Sequence, residues 1–316
     1  MIIDKVNCEL FTEVIILIYT VTFNPAIDYV MHTAEMRTGA VVRSEREEIY
    51  FGGKGINVSV VLNELGIKSR ALGFTAGFTG AAIEQGLRGM GIDCDFIRLA
   101  DGFSRINVKI KAQDETDLNG QGPDIDGASL DKLFGKLGGL NEGDTLVLAG
   151  SVPKCLPADI YERILCRLDG KGIRAVVDAS GKLLLNVLKY KPFLIKPNTD
   201  ELAEMFGAEI NGTDDVLRYS RELRKMGAAN VLVSMAGDGA LLVDEYGTVR
   251  KAPAHRGTVR NSVGAGESMV AGFLAGCESS DYGYALKLGT AAGGATAFSD
   301  GLAKRAQIDE LMKRQV

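Results

Sequence analysis

The sequence predicts an α/β fold: a doubly wound, mostly parallel sheet with helices on both faces and a small β-lid. Three observations carry this. From Asp126 onward, short apolar runs alternate with amphipathic segments of helical period, the pattern of parallel strands covered on both sides. Two earlier stretches, 29–51 and 104–122, break that rhythm with polar and β-branched residues, so they are placed together as the lid. The glycine-rich, polar punctuation falls just past the expected strands, at the edge where open α/β sheets hold their ligands.

The elements follow in order. Val14 to Val21 is apolar but far too short to span a bilayer, and no basic region precedes it, so it reads as a buried first strand and not as a signal peptide. The β-rich run ends at Asn24-Pro25, a strand-to-turn signal. Gly55 to Leu65 carries Ile56, Val60 and Leu65 near helical spacing and stops at Gly66. Arg70 to Phe74 is a short strand, and Ala81 to Met90 a helix closed by Gly91. Ser104 to Gln113 alternates Ile106, Val108 and Ile110 with polar neighbours, a half-exposed strand. Then come four helix-and-strand pairs: 129–137 with 145–149, 158–168 with 175–178, 182–189 with 193–196, and 214–226 with 231–234. A hairpin (240–250), two glycine-rich helices and a polar terminal helix complete a single unit over 17–316, while residues 1–16 read as a poorly ordered extension.

Composition narrows the function. The net charge of −5 speaks against a nucleic-acid or anionic-membrane surface. Five cysteines (8, 94, 155, 166, 277) lack CxxC spacing and read as reduced thiols of a cytoplasmic protein. His32 and His255 are the only histidines, leaving little room for a histidine-based triad or zinc site.

Asn261 to Phe273 says most about chemistry. Its Gly264-Ala265-Gly266 turn runs into an apolar helix, and Glu267 sits on the same turn. Helix N-terminal amides stabilise negative charge, and a neighbouring carboxylate can take a proton, the two needs of phosphoryl transfer to a hydroxyl. Five further segments are weaker alone. In Phe51 to Asn57, Gly53 lets backbone approach a ligand, Lys54 can meet a phosphate or hydroxyl, and Asn57 a sugar; the segment equally reads as a helix-capping turn. It has no Walker A spacing, and no G-x-G-x-x-G follows the first strand, which disfavours a nicotinamide dehydrogenase. Asp28 ends Asn24-Pro-Ala-Ile-Asp28 as a sugar-hydroxyl acceptor or an ordinary turn residue. Arg105, Asn107 and Lys109 share one strand face, open to an anion or to solvent. Asn198 and Glu201 are a capping-box start that could also organise hydrated Mg²⁺ beside nucleotide phosphates. Ser234-Met-Ala-Gly-Asp-Gly239 is a tight turn or a nucleotide-packing one.

As a set, these segments resemble the ribokinase/PfkB-type carbohydrate kinases, and within them the branch acting on fructose 1-phosphate. The resemblance covers Ile18 to about Arg305 and rests on 20–28, 52–57, 104–109, 119–123, 149–153, 196–198 and 261–273. It implies a ribokinase-like fold whose lid commonly serves dimerisation, and phosphoryl transfer from ATP to an alcohol group, with Mg²⁺. Asp28, Gly53, Lys54, Asn57, Arg105, Asn107 and Ser151 are expected at the sugar phosphate. Lys196, Asn198, Ser234, Gly237, Gly239 and Gly264 are expected at ATP, with Glu201 and Asn198 holding Mg²⁺ through water. Gly264, Ala265 and Gly266 are expected as the anion hole, and Glu267 as the base. The expected reaction converts D-fructose 1-phosphate to fructose 1,6-bisphosphate. Tagatose-6-phosphate kinase is the nearest rival, ribokinase or adenosine kinase a more distant one, and a sugar-phosphate sensor without efficient catalysis the competing class.

Two departures stand out. The family usually carries Asp where this chain has Glu267, one methylene longer, so slowed transfer is expected. The family also starts close to Ile18, and Leu17 stands where an initiating Met belongs. The expected start is therefore Leu17, through a non-AUG codon, which N-terminal mass spectrometry of the native protein would check.

Overall fold

The structure, a computed structural model, describes residues 16–279 and 281–314. The expectations for the N-terminal extension thus fall almost wholly outside the described residues. The first half of the chain runs β1 (Ile18–Thr22), β2 (Ala26–His32), β3 (Arg46–Gly52), α1 (Lys54–Glu64), β4 (Ser69–Ala76), α2 (Gly77–Gly89), β5 (Asp93–Cys94), β6 (Ile97–Leu99), β7 (Arg105–Lys111) and β8 (Glu115–Asn119). It continues through α3 (Gly127–Gly138), β9 (Thr145–Ala149), α4 (Ile160–Leu168), β10 (Arg174–Asp178), α5 (Gly181–Val187), β11 (Leu194–Ile195), α6 (Thr199–Phe206) and α7 (Thr213–Lys225). It closes with β12 (Asn230–Ser234), β13 (Ala240–Val243), β14 (Val249–Ala252), α8 (Ala265–Cys277), α9 (Tyr282–Ala297) and α10 (Arg305–Arg314).

The main sheet has the order β14-β13-β12-β11-β10-β9-β1-β4-β5, with β6 also pairing β4. It is parallel from β12 to β5, and only the β12–β13 and β13–β14 pairs are antiparallel. Its central strands are largely buried because both faces are covered. Leu146 and Leu148 of β9 pack with α3, α4, α5, α6 and α7, while Val147 and Ala149 face α1, α8, α9 and α10. The doubly wound, ribokinase-like architecture expected from the sequence is the one found. Glycines let α8 and α9 touch backbone to backbone: a Cβ on Gly272 would lie 2.6 Å from the Leu288 carbonyl oxygen.

The lid is a separate four-stranded sheet, β3-β2-β7-β8. It pairs β2 with β7 in parallel and flanks them with antiparallel β3 and β8. Ile27 and Phe51 pack onto Ile83 and Leu87 of α2, so one lid face is rooted in the body.

Some boundaries needed correcting. The lid starts at Ala26, not 29, and 33–45 is a connection and not strand. Helix α2 starts at Gly77, four residues before the expected Ala81, because in its first turn (Gly77-Phe78-Thr79-Gly80) the lone large apolar residue, Phe78, is exposed and off the buried stripe, so no apolar period marks the start. The two-residue β5 and three-residue β6 have too few residues to show alternation.

Candidate active site

The carboxyl ends of β1, β9, β10, β11 and β12 meet the starts of α1, α6 and α8, and the expected residues collect there. The α1 start is pinned to β1 by the Ile56 N–H, which donates to Thr22 Oγ1 at 3.0 Å. This sets Lys54 and Asn57 over the strand ends. The α8 start turns on Gly264 at φ 83°, a left-handed conformation that suits glycine. A Cβ there would also strike Leu302 at 2.5 Å. Ser268 Oγ bonds both the Gly264 carbonyl (2.7 Å) and Thr296 Oγ1 (2.7 Å), which fixes the turn from below.

Glu267 is 7% exposed and lies 3.8 Å from Lys54 Nζ. On its other side is Lys196, 5% exposed, whose Nζ sits 3.2 Å from Asp178 Oδ1. Gly266 makes room for this lysine, because a Cβ at 266 would lie 3.0 Å from Lys196 Nζ. The charges tune one another. Burial first, and the Asp178 carboxylate second, push the Glu267 carboxyl above the ordinary carboxylate range, with Lys54, its own amide and Lys196 pulling the other way. Burial alone would depress the Lys196 ammonium, but Asp178, Glu267 and Glu201 outweigh it and hold the group above its usual value. One expected anion-hole donor is partly engaged: the Ala265 N–H donates to the Ser262 carbonyl at 3.3 Å.

On the lid side, Asn107 Nδ2 donates to Asp28 Oδ1 at 2.8 Å. The other Asp28 oxygen lies toward Gly52 and Asn57. Asp28, Gly52, Asn57 and Lys109 line a cleft of about 780 Å³, with Arg260 and Asn261 across from them. Arg105 does not stand beside Asn107 and Lys109 as a free cation. Its Nε is spent on the Asn24 carbonyl at 3.1 Å, and burial lowers its pKa despite the nearby Asp28. Gly53, at φ 126°, caps α1, and exposed Ser151 follows Gly150 at the end of β9.

On the other side, Asn198 and Glu201 form a full capping box: Asn198 Oδ1 accepts from the Glu201 N–H (2.7 Å), and Glu201 Oε2 from the Asn198 N–H (2.9 Å). Replacing Asn198 by Ala should therefore cost about 1 kcal/mol in urea unfolding, whatever else it does. Asn198 also bridges to Ser234 at the end of β12. The turn through Gly237 and Gly239 follows, and Gly239 packs against the backbone of Ala252, Pro253 and Ala254. Those residues, with His255, Arg256 and Lys287, line a second cleft of about 500 Å³.

Asp178 was missed from the sequence. It is 2% exposed, and its Oδ2 is buried without a hydrogen-bond partner. The signal was present: a carboxylate closing an apolar strand at the ligand edge. Asp28, expected at such a strand end, instead lies within β2, paired to β3 and β7. The cleft at Gly239 was missed as well, because no local pattern marks the packing of 252–256.

A buried acid–base cluster at a helix N-terminus, with the Asp28 carboxylate in a cleft on one side and glycine turns on the other, is an arrangement suited to phosphoryl transfer onto a small molecule. Comparison with known proteins gives its family. The chain belongs to the pfkB family of carbohydrate kinases, whose model matches residues 21–308. It is 44% identical to the 1-phosphofructokinase of Bacillus subtilis (strain 168), over 94% of this chain and 97% of that protein. It is 37% identical to the D-tagatose-1-phosphate kinase of Bacillus licheniformis, over 93% and 97%. A Staphylococcus aureus protein assigned as a phosphofructokinase has a crystal structure that matches with a TM-score of 0.85 at 41% identity, over 94% and 97%. The protein is an ATP-dependent sugar-phosphate kinase.

Proposed function

We propose that the protein transfers the γ-phosphoryl group of ATP to D-fructose 1-phosphate, giving fructose 1,6-bisphosphate and ADP. The carrying observation is the buried Glu267 at the N-terminus of α8, in reach of Lys54 and beside Lys196. Glu267 takes the proton from the attacking hydroxyl. The amides of Gly264 and Gly266 and the two lysines meet the charge on the moving phosphoryl group. Asp28 accepts from the sugar hydroxyls, oriented by Asn107, while Asn57 borders the same cleft. Arg105 and Ser151 hold the phosphate already on the sugar. Lys196, Asn198, Ser234, Gly237 and Gly239 border the nucleotide, whose base fits the cleft behind Gly239.

Mg²⁺ fits this site. Asp178 offers a buried unpaired oxygen, and Glu201 a carboxylate beside Asn198. Among the described residues no cluster of three acidic, His or Cys side chains forms a cage; Mg²⁺ asks for only one or two carboxylates, with phosphates and waters. When bound, it would offset charge on the nucleotide phosphates.

The name of the tagatose relative supports a second reading, with tagatose 1-phosphate replacing the tagatose 6-phosphate expected from sequence. An ADP-release assay with fructose 1-phosphate, tagatose 1-phosphate, tagatose 6-phosphate and fructose 6-phosphate decides. Fastest turnover is expected on the first. Preference for another sugar overturns the assignment, and binding without turnover makes the protein a sensor.

We also propose a cytoplasmic homodimer joined through the lids. The outer strands β3 and β8 are each paired on one edge only, and Ile49 and Leu118 on them are exposed. No helix among the described residues is long and apolar enough to cross a membrane. Sedimentation should give twice the chain mass, and a monomer at micromolar concentration would refute the dimer.

A further inference from the structure

Asn24 lies where β1 passes into the lid, and it touches two other crossings between body and lid. Its backbone carbonyl accepts from Arg105 Nε (3.1 Å) at the start of β7, and its Nδ2 donates to the Gln121 carbonyl (2.7 Å) just past β8. Its Oδ1 is buried without a hydrogen-bond partner. A buried amide oxygen left unpaired calls for an explanation, and the one here is orientation: the amide is turned to reach Gln121 and not to satisfy itself. Gly122 follows at φ 82°, and a Cβ there would lie 2.2 Å from Asn24 Oδ1. The Asn119-Gly-Gln-Gly-Pro123 segment, which the chemistry leaves without a task, is thus the counterpart of this clip.

We propose that Asn24 is a positioning residue for sugar-phosphate binding: by clipping the Gln121–Gly122 strap to the β1–β2 turn, it sets the carbonyl that orients the Arg105 guanidinium. With Nε spent on that carbonyl, the guanidinium plane is fixed and its terminal N–H groups form the fork that meets a phosphate. Loosening the turn leaves Arg105 charged but free to rotate, a loss felt by the sugar phosphate and not by ATP. The inference rests on the reading of Arg105 as a sugar-phosphate contact.

The test measures fructose 1-phosphate and ATP binding by calorimetry, and both KM values, for Asn24→Ala, Gly122→Ala and the double variant. Each single change should weaken fructose 1-phosphate about tenfold, or about 1.4 kcal/mol, with ATP affinity within about twofold. The double variant should be no weaker than Gly122→Ala alone, because both act on one contact. Multiplicative losses, equal losses for both ligands, or unchanged fructose 1-phosphate affinity in the single variants overturn the clip and leave the proposed function standing. A wild-type protein that binds no fructose 1-phosphate overturns both.

Discussion

Replacing Glu267 by Gln should lower kcat by about 10²–10⁴-fold, the usual contribution of a positioned general base. ATP and sugar-phosphate affinities should change far less, because the substituted amide fills the same space between Lys54 and Gly266. Glu267→Asp is the more telling variant. The resemblance to the carbohydrate kinases implies Asp here, and on that reading an extra methylene places the carboxyl about 1 Å off, a displacement that can cost about 10²-fold. In the structure the longer side chain is buried and makes only a loose 3.8 Å approach to Lys54. Glu267→Asp should therefore raise kcat. An unchanged or lower kcat would show that the local backbone already accepts Glu without penalty. The pH profile supplies a second check. The acid limb of kcat/KM reports ionisation of the base in the free enzyme. It should lie above the ordinary carboxylate range, because burial and Asp178 favour the protonated form of Glu267. In Asp178→Asn one raising influence is removed and Lys196 remains, so the limb of the residual activity should move to lower pH. Movement upward would contradict the coupling.

Lys196→Met should cost about 3–5 kcal/mol of unfolding free energy, the range for breaking a buried ion pair by removing one partner. Lys196 and Asp178 are both nearly inaccessible, and Glu267 shares the same lysine. Without the ammonium, two carboxylates face each other in a low-dielectric pocket. Urea unfolding of Lys196→Met against wild type measures the loss. Adding Asp178→Asn to Lys196→Met should return part of it, since the stranded charge disappears. A loss under about 1 kcal/mol would place the pair among those whose desolvation cancels their attraction.

Most of the fold and the gathering of the candidate site at one sheet edge were legible in the sequence, and the exceptions have physical causes. Strand β9 matches the expected 145–149 because an apolar run between turn signals leaves little choice of boundary. Asn198 and Glu201 are local, three residues apart, so their box could be read directly. Asp28 was visible, but its partner Asn107 is 79 residues away and joins it only through the β2–β7 register. The turning of Arg105 to the Asn24 carbonyl is likewise a tertiary event, and face-sharing along a strand says nothing about it. Asp178 went unread because its importance lies in what surrounds it: a buried lysine from the neighbouring strand and an oxygen left without a donor.

The two sheets share no strand among the described residues. Asp28 and Asn107, the proposed sugar-hydroxyl contacts, belong to the smaller sheet, whereas Glu267, the proposed base, and the buried Lys196 belong to elements of the larger one. Mutation in one layer can therefore alter diet without touching the transfer machinery. An ancestor of this design could drift between closely related ketose phosphates largely through changes in the lid, with Asn57 and Ser151 as the fixed contacts from the body. An engineer could do the same, grafting β2, β3, β7 and β8 from a relative and keeping everything below Gly53.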